Sequence, residues 1–195
     1  MLRGLEIGLS PIFIDECGFL LKNNNFRNWI SSDKEYHAKL SRKESKINLI
    51  MAVSDSKVFC YKLNNTSTSS KEFKIFLEDL IKKMSEDEKE KHILILDNLK
   101  SHLTIELFQV YFNNKMKILF NVPYKSCFNM IEKVFRHIKN ITYKAIYSTK
   151  KELLKDLNRI INSEQLKQIL KKLYRETLYI YKDFIKDNLN KNLNI

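Results

Sequence analysis

The chain has 195 residues, 44% of them apolar and 11% aromatic, which is enough for one domain with a proper core and too apolar for intrinsic disorder. With 3 Gly and 2 Pro it has few tight turns, which excludes collagen-like sequence, low-complexity linkers and many-stranded sandwiches. The net charge of +12 is concentrated at one end: residues 1–112 hold 17 basic and 16 acidic side chains, whereas residues 113–195 hold 18 and 7. A one-sided positive field suits a polyanionic partner, because each neutralised phosphate releases condensed counterions. The competing reading is compositional drift, since Lys and Asn are abundant throughout. Cys17, Cys60 and Cys127 show no Cys-x-x-Cys spacing, so neither a disulfide framework nor a zinc ribbon is expected, and a reducing compartment fits. No apolar run reaches the ~18 residues needed to span a bilayer, and the stretch near Ile12 is interrupted by Asp15 and Glu16, so a soluble, intracellular protein without a membrane partner is expected.

The first predicted element is a strand over 11–15, apolar and ending in Asp15, with 26–30 as its hairpin partner. Residues 46–63 read as a β-hairpin turning at 54–57. After a polar loop, Ser69 and Glu72 form a capping-box pattern, and Phe73, Phe76, Leu77, Leu80, Ile81 and Met84 recur at helical spacing. An acidic linker over 86–90 precedes Ile93-Leu94-Ile95-Leu96, which is apolar on both faces, as a doubly covered central strand must be, and ends at Asp97. A helix follows over 101–112, then a short strand over 117–122 broken by Pro123, then a helix from Phe128. Everything after Lys150 is helical in period. The expected architecture is an α/β domain with a sheet of about five strands and a helical C-terminal extension.

Three carboxylates stand out by position. Asp15 and Asp97 each end an apolar strand, and Glu132 lies in the first turn of a helix, between Phe128 and Phe135, where it borders the buried face. Brought together, the three repel one another unless a cation compensates, and hard divalent ions such as Mg²⁺ take oxygen ligands of this kind.

These residues resemble a known family, the DDE transposases of the mariner superfamily. Ile14-Asp15-Glu16-Cys17-Gly18-Phe19 is similar to its first-aspartate motif, with Arg27-Asn28-Trp29 where the family often has Arg and Trp. Leu96-Asp97-Asn98 with Ser101-His102 resembles the second-aspartate motif, and residues 123–132, from Pro123 to Glu132, resemble the family's Pro-Tyr-Ser-Pro-x-Leu-Asn-Pro-Ile-Glu. Between Asp97 and Glu132 lie 34 residues, the spacing of that superfamily. The chain departs from the pattern at Ser126 and Met130, which stand where the motif has prolines, and at Phe135, where it has Trp; a looser turn before Glu132 is the expectation.

The resemblance covers roughly 11–145 and implies an RNase H-like catalytic domain over 1–145, followed by a basic helical extension over 146–195. It implies a DNA endonuclease and strand-transferase working through two Mg²⁺ or Mn²⁺ ions, with Asp15 bridging both and Asp97 and Glu132 each holding one. Such ions activate a water or a 3′-hydroxyl and stabilise the leaving oxygen of an in-line displacement. The partners implied are DNA, either transposon ends or target duplex, and a second copy of the chain. Family members carry helix-turn-helix modules ahead of the core; here about ten residues precede the first strand, so DNA recognition is expected to come from another chain. The place of action is expected to be the nucleus of a eukaryote or the nucleoid of a bacterium.

Two rival functions remain at this point: a catalytically idle, repurposed DNA-binding or scaffold protein, and an RNA-directed nuclease on the same fold. Among the neighbours, Glu16 points away from Asp15 by strand alternation. Asn98 reads as a partner of Asp97 or of the backbone. His102 reads as a cap or surface residue at a helix start, Trp29 and Tyr124 as core aromatics, and Cys17 and Cys127 as small packing residues. Lys167, Lys171, Lys172 and Arg175 share one helical face, as a solvated surface or a DNA contact.

Overall fold

The computed structural model describes residues 8–21, 46–65, 68–99, 102–121 and 126–192. Strand β1 (Ser10–Leu20) pairs antiparallel with β2 (Lys46–Val53), which pairs antiparallel with β3 (Val58–Asn64). The β2–β3 hairpin closes where Ser54 N–H donates to the Lys57 carbonyl at 2.9 Å, at the turn expected from sequence. The expected hairpin partner of β1 at 26–30 lies outside the described residues; among the described residues the antiparallel neighbour of β1 is β2.

Helix α1 (Ser70–Lys83) begins as its capping box dictates: Glu72 N–H donates to Ser69 Oγ at 3.3 Å, and Ser69 N–H to Glu72 Oε2 at 3.0 Å. The acidic stretch expected to be a linker is a short helix, α2 (Glu86–Lys91). It buries no residue and is held by a second capping box between Ser85 and Glu88, by Lys89–Glu86 and Lys91–Asp87 ion pairs, and by Lys57 to Glu88 and Lys117 to the Glu90 carbonyl from the sheet. Strand β4 (His92–Leu96) follows, then α3 (Ile105–Asn113) and β5 (Lys117–Phe120). A 3₁₀ turn (Ser126–Phe128) leads into α4 (Met130–Thr142), and α5 (Lys150–Ile161) and α6 (Glu164–Asn192) complete the chain. Among the described residues no helix is long and apolar enough to cross a membrane.

The five strands form one mixed sheet in the order β3-β2-β1-β4-β5, with β1, β4 and β5 parallel. Alternation along the central strands sorts the core into two layers. Ile12, Ile14, Leu94 and Leu96 face α1 and α3; Phe13, Cys17, Phe19, Ile93 and Ile95 face α4, α5 and α6. Leu153, Leu157, Ile160, Ile161, Leu166 and Leu170, from the helices beyond residue 146, are buried in that second layer against the sheet. Each such side chain contributes about 2 kcal/mol by leaving water.

Candidate active site

The site is built where β4 stops and β1 continues. The parallel pairing of β1 with β4 ends at Phe13 opposite Ile95. Two residues further on each strand come Asp15 and Asp97, so the register that aligns Phe13 with Ile95 brings the two carboxylates to the same level on neighbouring strands. Asp97 follows the last residue of β4, as expected. Asp15 does not end its strand: β1 runs on to Leu20, paired on that side only with β2. The sequence could not reveal this, because the apolar run breaks at Asp15 while the backbone pairing with β2 continues.

The third carboxylate comes from the helix that covers this face. Ile131, Val134, Phe135 and Ile138 of α4 are buried against the sheet. Glu132, in the first turn, is exposed, further out than the periodicity suggests. What places this turn is Asn129. It occupies the N-cap position of α4 but makes no capping bond; instead its Nδ2 donates to Asp15 Oδ2 at 2.9 Å. The other oxygen of Asp15 accepts from the Glu16 backbone N–H at 2.7 Å.

Burial pushes the Asp15 carboxyl up to about 7; the Glu16 N–H opposes that shift, and the charges of Asp97, Glu16 and Glu132 add to it. Carboxylates contributed by β1, the end of β4 and the start of α4 therefore act on one another electrostatically. Burial likewise raises the thiol of Cys17, the next inward residue on β1, and the contact with Lys139 of α4 opposes it.

His102 is the residue that sequence reasoning misplaced. It is neither a cap nor a surface group: it is completely buried, and its ring stacks on Phe73 of α1 with centroids 4.1 Å apart and an interplanar angle of 28°. Its Nδ1 lies 2.7 Å from Asp97 Oδ1, a close ion pair without good hydrogen-bond alignment, and its Nε2 lies 3.2 Å from Glu16 Oε1. Burial of the ring disfavours its charge, yet the two carboxylates outweigh that, and its pKa rises to about 9. A protonated imidazole thus bridges β1 and the end of β4. Glu16 points away from Asp15 as alternation predicts, and its partner is this histidine. Asn98 extends the support on the other side: its Nδ2 donates to the Asn121 carbonyl beyond β5, and Leu99 N–H donates to Asp97 Oδ1 at 3.2 Å. Cys17 is buried as expected, whereas Cys127 is exposed, because the 3₁₀ turn directs Phe128 inward in its place. Trp29 and Tyr124 lie outside the described residues.

The donor set fits a hard divalent cation. It consists of anionic oxygens, it carries unfavourable mutual charge at Asp15, and one further buried acceptor beside Asp15, Asn129 Oδ1, has no hydrogen-bond donor among the described residues. Among the described residues no group of three His, Cys, Asp or Glu side chains is gathered closely enough to hold an ion.

Comparison with known proteins places the chain in a family and a fold. A family model described as DDE superfamily endonuclease matches residues 10–154, which include all three carboxylates. The chain is similar to the crystal structure of a pre-cleavage Mos1 transpososome, with a TM-score of 0.69 at 13% identity over 87% of this chain and 54% of that one. It is similar to the Mos1 mariner paired-end complex with Mn, with a TM-score of 0.70 at 12% identity over 89% and 54%. The catalytic domain of Mos1 mariner transposase gives 0.64 at 14% identity over 86% and 78%. At these identities the likeness is one of fold, and that fold is the RNase H-like one expected from sequence. The chain spans about half the length of the transpososome and paired-end chains it matches. No curated protein matched the chain.

Proposed function

The chain belongs to the DDE superfamily endonucleases, and from that membership we propose that it is a metal-dependent DNA endonuclease and strand-transferase of the transposase type, with Asp15, Asp97 and Glu132 as its catalytic, ion-holding carboxylates. The observation that supports this reading is geometric: the β1–β4 register sets Asp15 and Asp97 level on neighbouring strands, and the Asn129–Asp15 hydrogen bond ties the start of the Glu132 helix to Asp15. Two Mg²⁺ or Mn²⁺ ions, when bound, supply activation of a water or 3′-hydroxyl and stabilisation of the departing oxygen. The protein's own residues prepare for that chemistry. Asp15, its carboxyl pushed up to about 7 by burial, would hold an ion in its ionised form. The His102 imidazolium fixes the Asp97 carboxylate against the sheet, and Asn129 fixes that of Asp15. Glu132 stands exposed at the rim, where a phosphodiester can approach.

DNA is the proposed partner, with a second copy of the chain bringing the other DNA end; the similar Mos1 structures are a transpososome and paired-end complexes. The site of action is then the nucleus or the nucleoid. Nicking of supercoiled plasmid in Mg²⁺, in Mn²⁺ and in EDTA tests the reading. Nicking that requires the divalent ion and disappears in Asp97→Asn, which keeps volume and removes charge, is the expected result. Duplex binding without nicking in any divalent ion would favour an idle DNA-binding protein, and preferential cutting of an RNA:DNA hybrid would favour an RNA-directed nuclease.

A further inference from the structure

The turn that delivers Asn129 and Glu132 is fixed from a distance. Phe128, the last residue of the 3₁₀ turn, is 3% exposed, and its carbonyl accepts a hydrogen bond from Tyr181 Oη of α6 at 2.7 Å in a buried setting. The Tyr181 ring stacks on the Phe128 ring with centroids 4.6 Å apart and an interplanar angle of 22°. Phe184, one turn further along α6, meets the same ring edge-on at 5.1 Å. Lys133 and Glu176 approach to 3.8 Å between the same two helices.

Local chemistry does little to hold this turn. Ser126 and Met130 leave φ unrestrained where a proline would lock it. Asn129 directs its side chain to Asp15 and so does not cap α4. The helix start therefore depends on tertiary contacts: the Asn129–Asp15 bond toward the sheet and, on the other side, the Tyr181 bond to the Phe128 carbonyl.

We propose that Tyr181, with Phe128, is a positioning pair of the active site: α6 pins the entry of α4 so that Asn129 meets Asp15 and Glu132 is held at the rim of the site. This rests on the function proposed above for the three carboxylates. Tyr181 touches neither substrate nor ion; it acts through the Phe128 backbone. The long C-terminal helix is then part of the catalytic apparatus, in addition to any electrostatic part in holding DNA.

The test uses the full chain and two readouts. Hydrogen exchange reports the turn directly: Tyr181→Ala is expected to speed exchange in peptides covering 126–133 by about tenfold, the equivalent of one broken buried hydrogen bond, while peptides from β1 and β2 stay unchanged. Divalent-ion-dependent nicking reports the site: its rate is expected to fall about 100-fold, as misplacement of a catalytic group by about an ångström produces, with duplex affinity unaltered. Tyr181→Phe keeps the stack and removes the donor, and is expected to fall between wild type and Tyr181→Ala on both readouts. Unchanged exchange at 126–133, or faster exchange with nicking at the wild-type rate, overturns the proposal. If Tyr181→Ala fails to fold, Tyr181→Phe decides by the same criteria. A wild-type protein that does not nick overturns the catalytic reading instead, and exchange at 126–133 then decides alone whether α6 holds the turn.

Discussion

Asn129 Nδ2 donates to Asp15 Oδ2 at 2.9 Å, joining the residue that begins the Glu132 helix to the central strand across 114 positions of sequence. That bond is worth most when Asp15 is ionised, because a charged acceptor strengthens it. Asn129→Ala is expected to cost about 1–3 kcal/mol, the penalty for leaving a buried acceptor without its donor. Urea denaturation at pH 8 measures this, and the cost is expected to shrink at pH 5, where the carboxyl is protonated. An equal cost at both pH values would show that the bond is insensitive to the charge on Asp15.

The Asp15 carboxyl titrates at about 7 in the folded protein against an ordinary value of 3.8, so the folded state binds the proton more tightly than the unfolded chain. Its contribution to stability is therefore fully present below about pH 4 and is lost as pH rises through about 7, to a total of at most about 4 kcal/mol. Without divalent ions, wild type is expected to lose stability relative to Asp15→Asn across that window. Added Mn²⁺ is expected to reverse the loss, so the Mn²⁺-induced rise in Tm grows from pH 5 to pH 8 in wild type and is absent in Asp15→Asn. A Tm shift that is flat with pH would count against Asp15 as the group that exchanges a proton for the ion.

His102 supplies a second, separate window. Its folded pKa of about 9 lies above the ordinary 6.5, so its contribution is complete below about pH 6.5 and is lost as pH rises through about 9. His102→Leu leaves Glu16 and Asp97 without their shared cation and is expected to destabilise by about 3 kcal/mol at pH 6, with the deficit narrowing by pH 10. Paired urea melts of wild type and variant at the two pH values check the sign. A deficit that widens toward pH 10 would mean that the ring is neutral when buried.

The charge asymmetry leads to a prediction about salt. Lys167, Lys171, Lys172 and Arg175 are all exposed or half-exposed on α6, whereas Leu166 and Leu170 on the same helix are core residues, so deleting the helix would remove the fold along with the charge. Changing the four cations to Gln leaves the core intact. If they neutralise phosphates, duplex affinity is expected to fall without regard to sequence, and the slope of log K against log[salt] to flatten by about 0.9 for each phosphate no longer neutralised. Identical slopes for the two proteins would identify the four as a solvated surface.

The parts of the fold that were legible in sequence are those specified locally. The Ser69–Glu72 capping box, the stripe from Phe73 to Ile81 and the double-faced apolar run of β4 each carry their structure in adjacent residues. The Ser85–Glu88 box was equally local, but a helix that buries nothing lacks the periodicity by which helices are read. The positions of Asp97 and Glu132 at the edges of their elements could be inferred from where apolar patterns start and stop. The environment of His102 could not, because it depends on β1 lying beside β4, which brings Glu16 to a ring 86 positions away. Tyr181 is hidden for the same reason: in sequence it is one aromatic among several on an amphipathic helix, and only packing against Phe128 sets it apart.

The stacked pair of Phe128 and Tyr181 also sets an order in time. A ribosome delivers Asp15 and Asp97 well before Tyr181, and at about 5–20 residues per second the interval lasts seconds. During that interval the β2–β3 hairpin closes from neighbouring residues, while the entry of α4 still lacks the Tyr181 bond to the Phe128 carbonyl. The nascent chain thus passes through a stage in which all three carboxylates exist but Glu132 is not held in place. The turn before Glu132 is completed last, when α6 docks, and the geometry of the proposed site is the final thing synthesis supplies.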